Sequence, residues 1–379
     1  MAPGWFHTPT VVYLWGTVGE QGGTVRLDIM SGAMKLRAVQ RHARAVEKAG
    51  FDTMWLTESG RTAYLSAAAA GLATERLRLG TAVAVAFPRS PMVTASLAWE
   101  LAEATEGRFT LGLGTQVKAH IERRYSSSYA PPGPRMKEYV QALQAIFRAF
   151  RGEEKLSFDG DYYSFSLLPP QWSPGPIAVA DPPIFVSAVL GWMSRMAGEV
   201  CDGIHIHPFN SAAYVRDVQR PRVQEGVDRA GRDLADVTFE IPVMTPVGDT
   251  EEELVESREH ARQMIAFYGS TRTYAPVFEI HGFVGLAEEL NRLQRRGDVA
   301  AMVALIGDDV LDHYTVSGTW SSLGAGLVER YRGVAPNISL MTYTASSQIR
   351  RHPDILDRWS DVARDVSTAA QSLPPDELA

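Results

Sequence analysis

A (β/α)8 barrel is the fold this sequence predicts, on three observations. Short β-branched runs alternate with long stretches of helical apolar periodicity, the pattern of parallel strands joined by crossover helices. Eight strand runs can be counted, the number that closes such a barrel. The chain has 379 residues, 45% hydrophobic and 21% charged, ample for one large core, and α/β barrels routinely run past about 250 residues as one domain.

The elements follow in order. Val25–Ile29 is the first strand, and Leu36, Val39, Ala43 and Val46 then recur at helical spacing up to Gly50, a C-cap glycine. Phe51–Thr57 is the second strand and Ala63–Thr74 an alanine-rich helix. Leu77–Ala86 is the third strand; Pro91 opens a helix to about Thr105, at a position where its missing N–H costs nothing. Phe109–Gly114 is the fourth strand. A proline-broken loop follows, then a helix striped by Met136, Val140, Leu143, Phe147 and Phe150. Lys155–Phe165 reads as a hairpin around Asp159-Gly160. Ile184–Val189 and Gly203–His207 are strands five and six, with a helix from Tyr214 to Ala230 after the latter. Phe239–Val247 is strand seven, and Asp249 or Thr250 caps a helix starting at Glu251 with acids in its first turn. Asn337–Tyr343 is strand eight and His352–Val366 a terminal helix. The barrel thus occupies 24–366, between an N-terminal extension at 1–23 and a tail at 367–379. Residues 267–318 exceed what one barrel unit needs and read as a helical insertion near the C-terminal face.

Composition narrows the function. A net charge of −7 argues against nucleic acid or an anionic membrane as partner. The single cysteine, Cys201, forms no internal disulfide and asks for no oxidising compartment. No apolar run is long enough to span a membrane, and residues 1–23 lack the pattern of a signal peptide. A cytoplasmic enzyme acting on a small molecule is the expectation.

Active sites of these barrels form at the C-terminal ends of the strands. That rule selects Glu58 and Ser59 after strand two, the Ala82–Phe87 region after strand three, and Gly114, Thr115 and Gln116 after strand four. It also selects Ala188, Val189 and Gly191 after strand five, and His205 and His207 on strand six. Strand alternation turns Gly203, His205 and His207 inward and the isoleucines outward, with His207 nearest the mouth. His205 reads as an interior histidine and His207 as a functional one. The pair could bind zinc with Glu58 as third ligand, but no further ligand clusters at a strand end; no metal is expected. Glu58 reads either as a loop cap or as a cofactor and proton partner. Lys118, His120, Arg123 and Arg124 form a basic group, either a solvated face or a clamp for an acidic tail.

At these residues a resemblance becomes specific. EKAGFDTMWLTES resembles the strand-two signature of luciferase-like flavin enzymes. The block RLRLGTAVAVAFPRSPMVTASLAWELAEATEGRFTLGLGTQVKAHIERRYS is similar to one branch, the deazaflavin-dependent oxidoreductases that use coenzyme F420. FDGDYYSF, AGEVCDGIHIHPF, QMIAFYGSTRTY and VLDHYTVSGT continue it, so that the likeness spans roughly 24–350. It implies a luciferase-like barrel with the flavin-type ring across the strand ends. It also implies a bulge after strand three with a non-prolyl cis peptide at Ala82–Val83 supporting one ring face, and commonly a homodimer. Glu58 and Ser59 match positions beside the ring, Thr115 a position near the cofactor tail. Gln116-Val117 replaces the Gly-Glu of the sugar-phosphate dehydrogenases of this branch, which carry their proton donor there. The glycine-rich turn after strand five is reduced to Gly191, flanked by the bulky Leu190 and Trp192.

The expected function is an F420-dependent oxidoreductase passing a hydride between the deazaflavin and a carbonyl, imine or conjugated alkene. Catalysis falls to Glu58 and His207, and cofactor binding to Glu58, Ser59, Ala82, Val83, Thr115, Gln116, Lys118, Ala188, Val189 and Gly191. The alternatives are a monooxygenase using reduced FMN and O2, a metal hydrolase built on His205 and His207, and a non-catalytic flavin-binding barrel.

Overall fold

The structure, a computed structural model, describes residues 24–342 and 352–373. The expected N-terminal extension, Tyr343 and the end of the tail lie outside the described residues. Eight parallel strands close on themselves: β1 (Thr24–Ser31), β2 (Thr53–Leu56), β3 (Arg78–Thr81), β4 (Phe109–Gly114), β5 (Ile184–Ala188), β6 (Gly203–Ile206), β7 (Thr238–Val243) and β8 (Asn337–Thr342). Each pairs with the next, and β8 pairs back onto β1 with Leu27 opposite Leu340. Outward residues such as Leu27, Leu79, Leu111, Val186, Ile204 and Ile241 are buried under the helices in one continuous core.

Local chemistry sets the boundaries. Gly50 ends the helix Leu36–Ala49 at φ 92, a left-handed conformation that glycine adopts without a Cβ clash. Ser90 accepts the amide of Val93, with Pro91 as first residue of its helix. Of the two expected caps, Thr250 takes the role and accepts the amide of Glu253.

Four expectations need correction. Strand three stops at Thr81, and Ala84–Val85 resumes pairing against β4 after a cis peptide bond at Ala82–Val83. Strand seven stops at Val243 rather than Val247, because the chain leaves the wall there; Met244 and Val247 instead bridge to Thr315 and Gly318, the two ends of the long excursion. The hairpin turn runs over Gly160–Tyr163 and its strands are two residues each, since Glu138 accepts the amides of Asp161, Tyr162 and Tyr163 and fixes the loop. The helix expected at Tyr214–Ala230 is a π-turn, Val215–Gln219, leading into Arg220–Ala230; Pro221 lacks the N–H that a regular helix would use there. A helix at Trp320–Tyr331, which the sequence reading left unassigned, completes the last unit before β8.

The excursion folds over its own small core. Helices Glu251–Gly269, Ala275–Glu279, Leu286–Arg296, Val299–Ala304 and Asp308–Tyr314 bury Ile265, Phe278, Leu290 and Leu311 against Phe209 from the barrel rim. Among the described residues no helix is long and apolar enough to cross a membrane.

The barrel interior pairs large rings with glycines. Trp55, Phe185 and His205 point inward from β2, β5 and β6. Gly80, Gly112 and Gly203 lie beside them: a Cβ on Gly80 would come within 2.1 Å of Trp55, and one on Gly203 within 2.5 Å of Phe185. Deeper lies a polar layer. Ser339 Oγ is 2.6 Å from Asp28 Oδ2 and 2.9 Å from Glu240 Oε1, all three fully buried. One hydroxyl hydrogen cannot serve two carboxylates, so one acid keeps a proton. That acid is Glu240, pushed well above the usual range by burial and then by the charge of Asp28. Burial raises Asp28 as well, but Arg26 at 3.8 Å and the donor Trp55 Nε1 at 3.2 Å oppose that rise. In the unfolded chain Glu240 ionises at its ordinary pKa, so the folded form binds the extra proton and stability falls as pH rises above that value. Glu240→Gln removes this dependence. Melting temperatures of both proteins between about pH 5 and 8 are expected to diverge in favour of the variant as pH rises; a constant difference would refute the shared proton.

Candidate active site at the barrel mouth

Inside the barrel, below the C-terminal ends of the strands, lies a buried apolar cluster. Trp55, Phe185 and Met341 form it, with Met30 and Ala82 packed against them and partly open. His205 stands edge-on to Trp55 with ring centroids 4.7 Å apart, its ring nitrogens sealed from solvent beside the Thr81 backbone. Burial pushes its pKa down to about 3, so it is neutral. It is the interior histidine the strand alternation predicts.

Glu58 does not point freely into the mouth. Its side chain is 6% exposed; Oε2 accepts the Val85 amide at 2.7 Å, and Arg89 clamps both oxygens at 3.1 and 2.5 Å. Arg89 also donates to the Val85 carbonyl and lies over the Tyr64 ring. The carboxylate therefore ties the chain just beyond Ala82–Val83 to the end of β2. Ser59, next to it, is exposed. Val83 turns its side chain toward the mouth of β4, where a Cβ on Gly114 would meet it at 2.5 Å.

Beyond β4, Thr115 is half-buried. Gln116 is exposed at φ 57, held by its own side chain accepting the Val117 amide. Lys118 heads a six-residue helix and faces Glu122 at 3.8 Å; His120, Arg123 and Arg124 are exposed with it. Beyond β5 the carbonyls of Ala188 and Val189 accept from Gln219 and Tyr214. Gly191 opens the ten-residue helix Gly191–Val200, whose N-cap Leu190 supplies no side-chain bond to the first amides. Arg222 lies against Gly191: a Cβ there would sit 3.3 Å from its side chain.

His207 sits at the rim beneath the helical cap. Its ring packs against Tyr274 at 4.7 Å and edge-on to Tyr268 at 5.0 Å, and Nδ1 accepts the Phe209 amide at 3.0 Å. Burial pushes its pKa down to about 4. Among the described residues no three His, Cys, Asp or Glu side chains group as a metal site.

Sequence reasoning missed Arg89, Arg222, Tyr268 and Tyr274. Arg89 had a signal, a lone cation directly after strand three and facing an acid at the end of strand two. The other three come from helices and an insertion whose docking no local pattern encodes.

The model of the luciferase-like monooxygenase family matches residues 16–336. The chain belongs to this family. Its members are oxidoreductases and monooxygenases. An uncharacterized protein of Mycobacterium tuberculosis is 39% identical over 306 residues, 81% of this chain and 90% of the relative. The 5,10-methylenetetrahydromethanopterin reductase of Archaeoglobus fulgidus is 28% identical over 297 residues, 76% of this chain and 83% of its own. Among solved structures, the coenzyme F420-dependent tetrahydromethanopterin reductase of Methanopyrus kandleri superimposes with a TM-score of 0.70 at 17% identity, covering 92% of this chain and 99% of that one. The luciferase-like barrel is thus shared at the level of fold.

Proposed function

We propose that this luciferase-like barrel is an F420-dependent oxidoreductase acting on a small organic substrate with a carbonyl, imine or conjugated alkene. The observation that carries the reading is the end of the barrel itself, where the partly open Met30 and Ala82 lie over an apolar interior and the helix after β5 starts without a side-chain cap. Met30 and Ala82, the partly open residues over the buried Trp55, Phe185 and Met341, suit the apolar face of a ring. The amides at Gly191–Met193, which the N-cap side chain leaves unbonded, suit an acidic tail, and Arg222, paired with Glu225 at 2.5 Å, lies beside them. The choice of deazaflavin over FMN is supported by the fold likeness to an F420-dependent tetrahydromethanopterin reductase, together with the similarity over 297 residues to the methylenetetrahydromethanopterin reductase of Archaeoglobus.

When bound, the deazaflavin supplies or accepts the hydride. The protein's part would be to seat the ring over the strand ends, anchor the tail at Gly191, and cover the mouth with Tyr268 and Tyr274. Glu58 acts by fixing the segment from Ala82 to Val85, so the proton has to come from another group or from water.

The test is an anaerobic fluorescence titration of the whole chain with F420 and, separately, FMN. Saturable binding of F420 alone is expected, and Arg222→Ala is expected to weaken it about tenfold, the loss of one charge-assisted contact. FMN binding with substrate-dependent oxygen uptake would move the assignment to a reduced-FMN monooxygenase. Binding of neither would end the redox reading.

A further inference from the structure

His207 carries an inference that deepens the reading above and rests on it for the choice of substrate. Its Nδ1 accepts the backbone N–H of Phe209. A backbone amide only donates, so Nδ1 carries no hydrogen, and the neutral ring must bear its proton on Nε2. Nε2 makes no hydrogen bond among the described residues. Unlike both nitrogens of His205, it is not sealed from solvent.

The turn that sets this tautomer is held from both sides. Asn210 Nδ2 donates to the carbonyls of His207 and Pro242, each at 2.9 Å. The Phe209 ring is buried in the cap core, 4.8 Å from Phe278 and 5.0 Å from Tyr314. The Phe209 amide therefore cannot swing away, and a proton on Nδ1 would face another donor. Burial between two tyrosine rings opposes the charged ring as well, which agrees with its depressed pKa.

We infer that His207 is a substrate-orienting hydrogen-bond donor, a permanently neutral imidazole whose Nε2–H meets the carbonyl oxygen of the substrate and which acts neither as base nor as acid. Such a group stabilises charge gathering on that oxygen, and it selects substrates that present an acceptor at this point over those that present only a donor.

The first measurement is 15N NMR of the full chain labelled at histidine, with His207→Gln identifying the resonances. A pyrrole-type Nε2 and a pyridine-type Nδ1, unchanged between about pH 5.5 and 8, are expected. A ring that titrates in this range, or one protonated at Nδ1, overturns the inference. Cyclohexanone, added as a carbonyl probe to the F420-mixed protein, is expected to shift the Nε2 signal; no shift overturns the carbonyl assignment. In F420-dependent turnover of cyclohexanone, His207→Phe is expected to lower kcat/KM by about a hundredfold, the loss of one such donor. His207→Gln, which keeps an amide N–H near the Nε2 position, should recover part of it, and the wild-type kcat should show no inflection from this histidine. Equal activity of the Phe and wild-type proteins would overturn the role. Failure of F420 to bind, with the tautomer as stated, would sink the cofactor proposal and leave the donor assignment standing.

Discussion

Gly112→Ala is expected to be among the most damaging single substitutions in the barrel wall. A Cβ at this position would lie 1.8 Å from the Thr81 carbonyl oxygen and 2.5 Å from His205 Nε2. Neither can retreat. Thr81 is β3 backbone, and its hydroxyl both donates to the Gly112 carbonyl at 2.6 Å and accepts the Gly112 amide at 2.9 Å. His205 is wedged between Trp55 and Phe185. The strands must part, losing two buried hydrogen bonds and the fit of three rings. Overpacking and stranded polar groups together set the cost above about 3 kcal/mol, a fall in Tm of about 4 °C or more for a chain of this length. Gly32→Ala is the control, since nothing lies within 4 Å of its Cβ position. Thermal and denaturant unfolding of both variants measure this. A Gly112→Ala protein as stable as wild type would mean that His205 does not occupy the barrel interior in this register.

Arg89→Met should have an effect of similar size by a different route. It leaves the Glu58 carboxylate, 6% exposed, without its counter-charge. Breaking a buried ion pair from one side typically costs about 3–5 kcal/mol, because the remaining charge has lost its compensation. The Val85 carbonyl and the Tyr64 ring lose a partner too. Glu58→Gln keeps an acceptor for the Val85 amide and should cost less, about 1–3 kcal/mol. The double variant should be more stable than the sum of the two losses predicts, since no charge is then stranded. F420 affinity should fall with Arg89→Met, because the Ala82–Val85 segment is no longer held to β2. If Glu58→Gln instead kept full stability and cofactor affinity while abolishing turnover, Glu58 would be a proton donor after all, and the positioning role would be withdrawn.

Much of this was legible in the chain. Alternation of β-branched and helical runs predicts eight strands, and eight close the barrel. Strand alternation alone turns His205 inward and Ile204 and Ile206 outward, because successive side chains on a strand must face opposite sides; His207 lies past the strand's end, at the rim. Cap residues such as Gly50 and Thr250 were readable because their chemistry is local. Strand ends were less so. Where β7 stops depends on Met244 and Val247 finding Thr315 and Gly318, some seventy residues away in the chain.

What the sequence determined by itself is therefore the class of fold, the inward His205 and the set of strand ends among which a site must lie, all consequences of short-range periodicity. What only the tertiary structure decided is the state of each group there. Glu58 and Arg89 are 31 residues apart in the chain and meet only because β2 and the segment after β3 lie side by side. His207 gains its tautomer from a turn pinned by the cap, and Glu240 gains its proton from a crowded interior. Charge, tautomer and protonation are set by what surrounds a side chain, and in a closed barrel those surroundings come from distant strands.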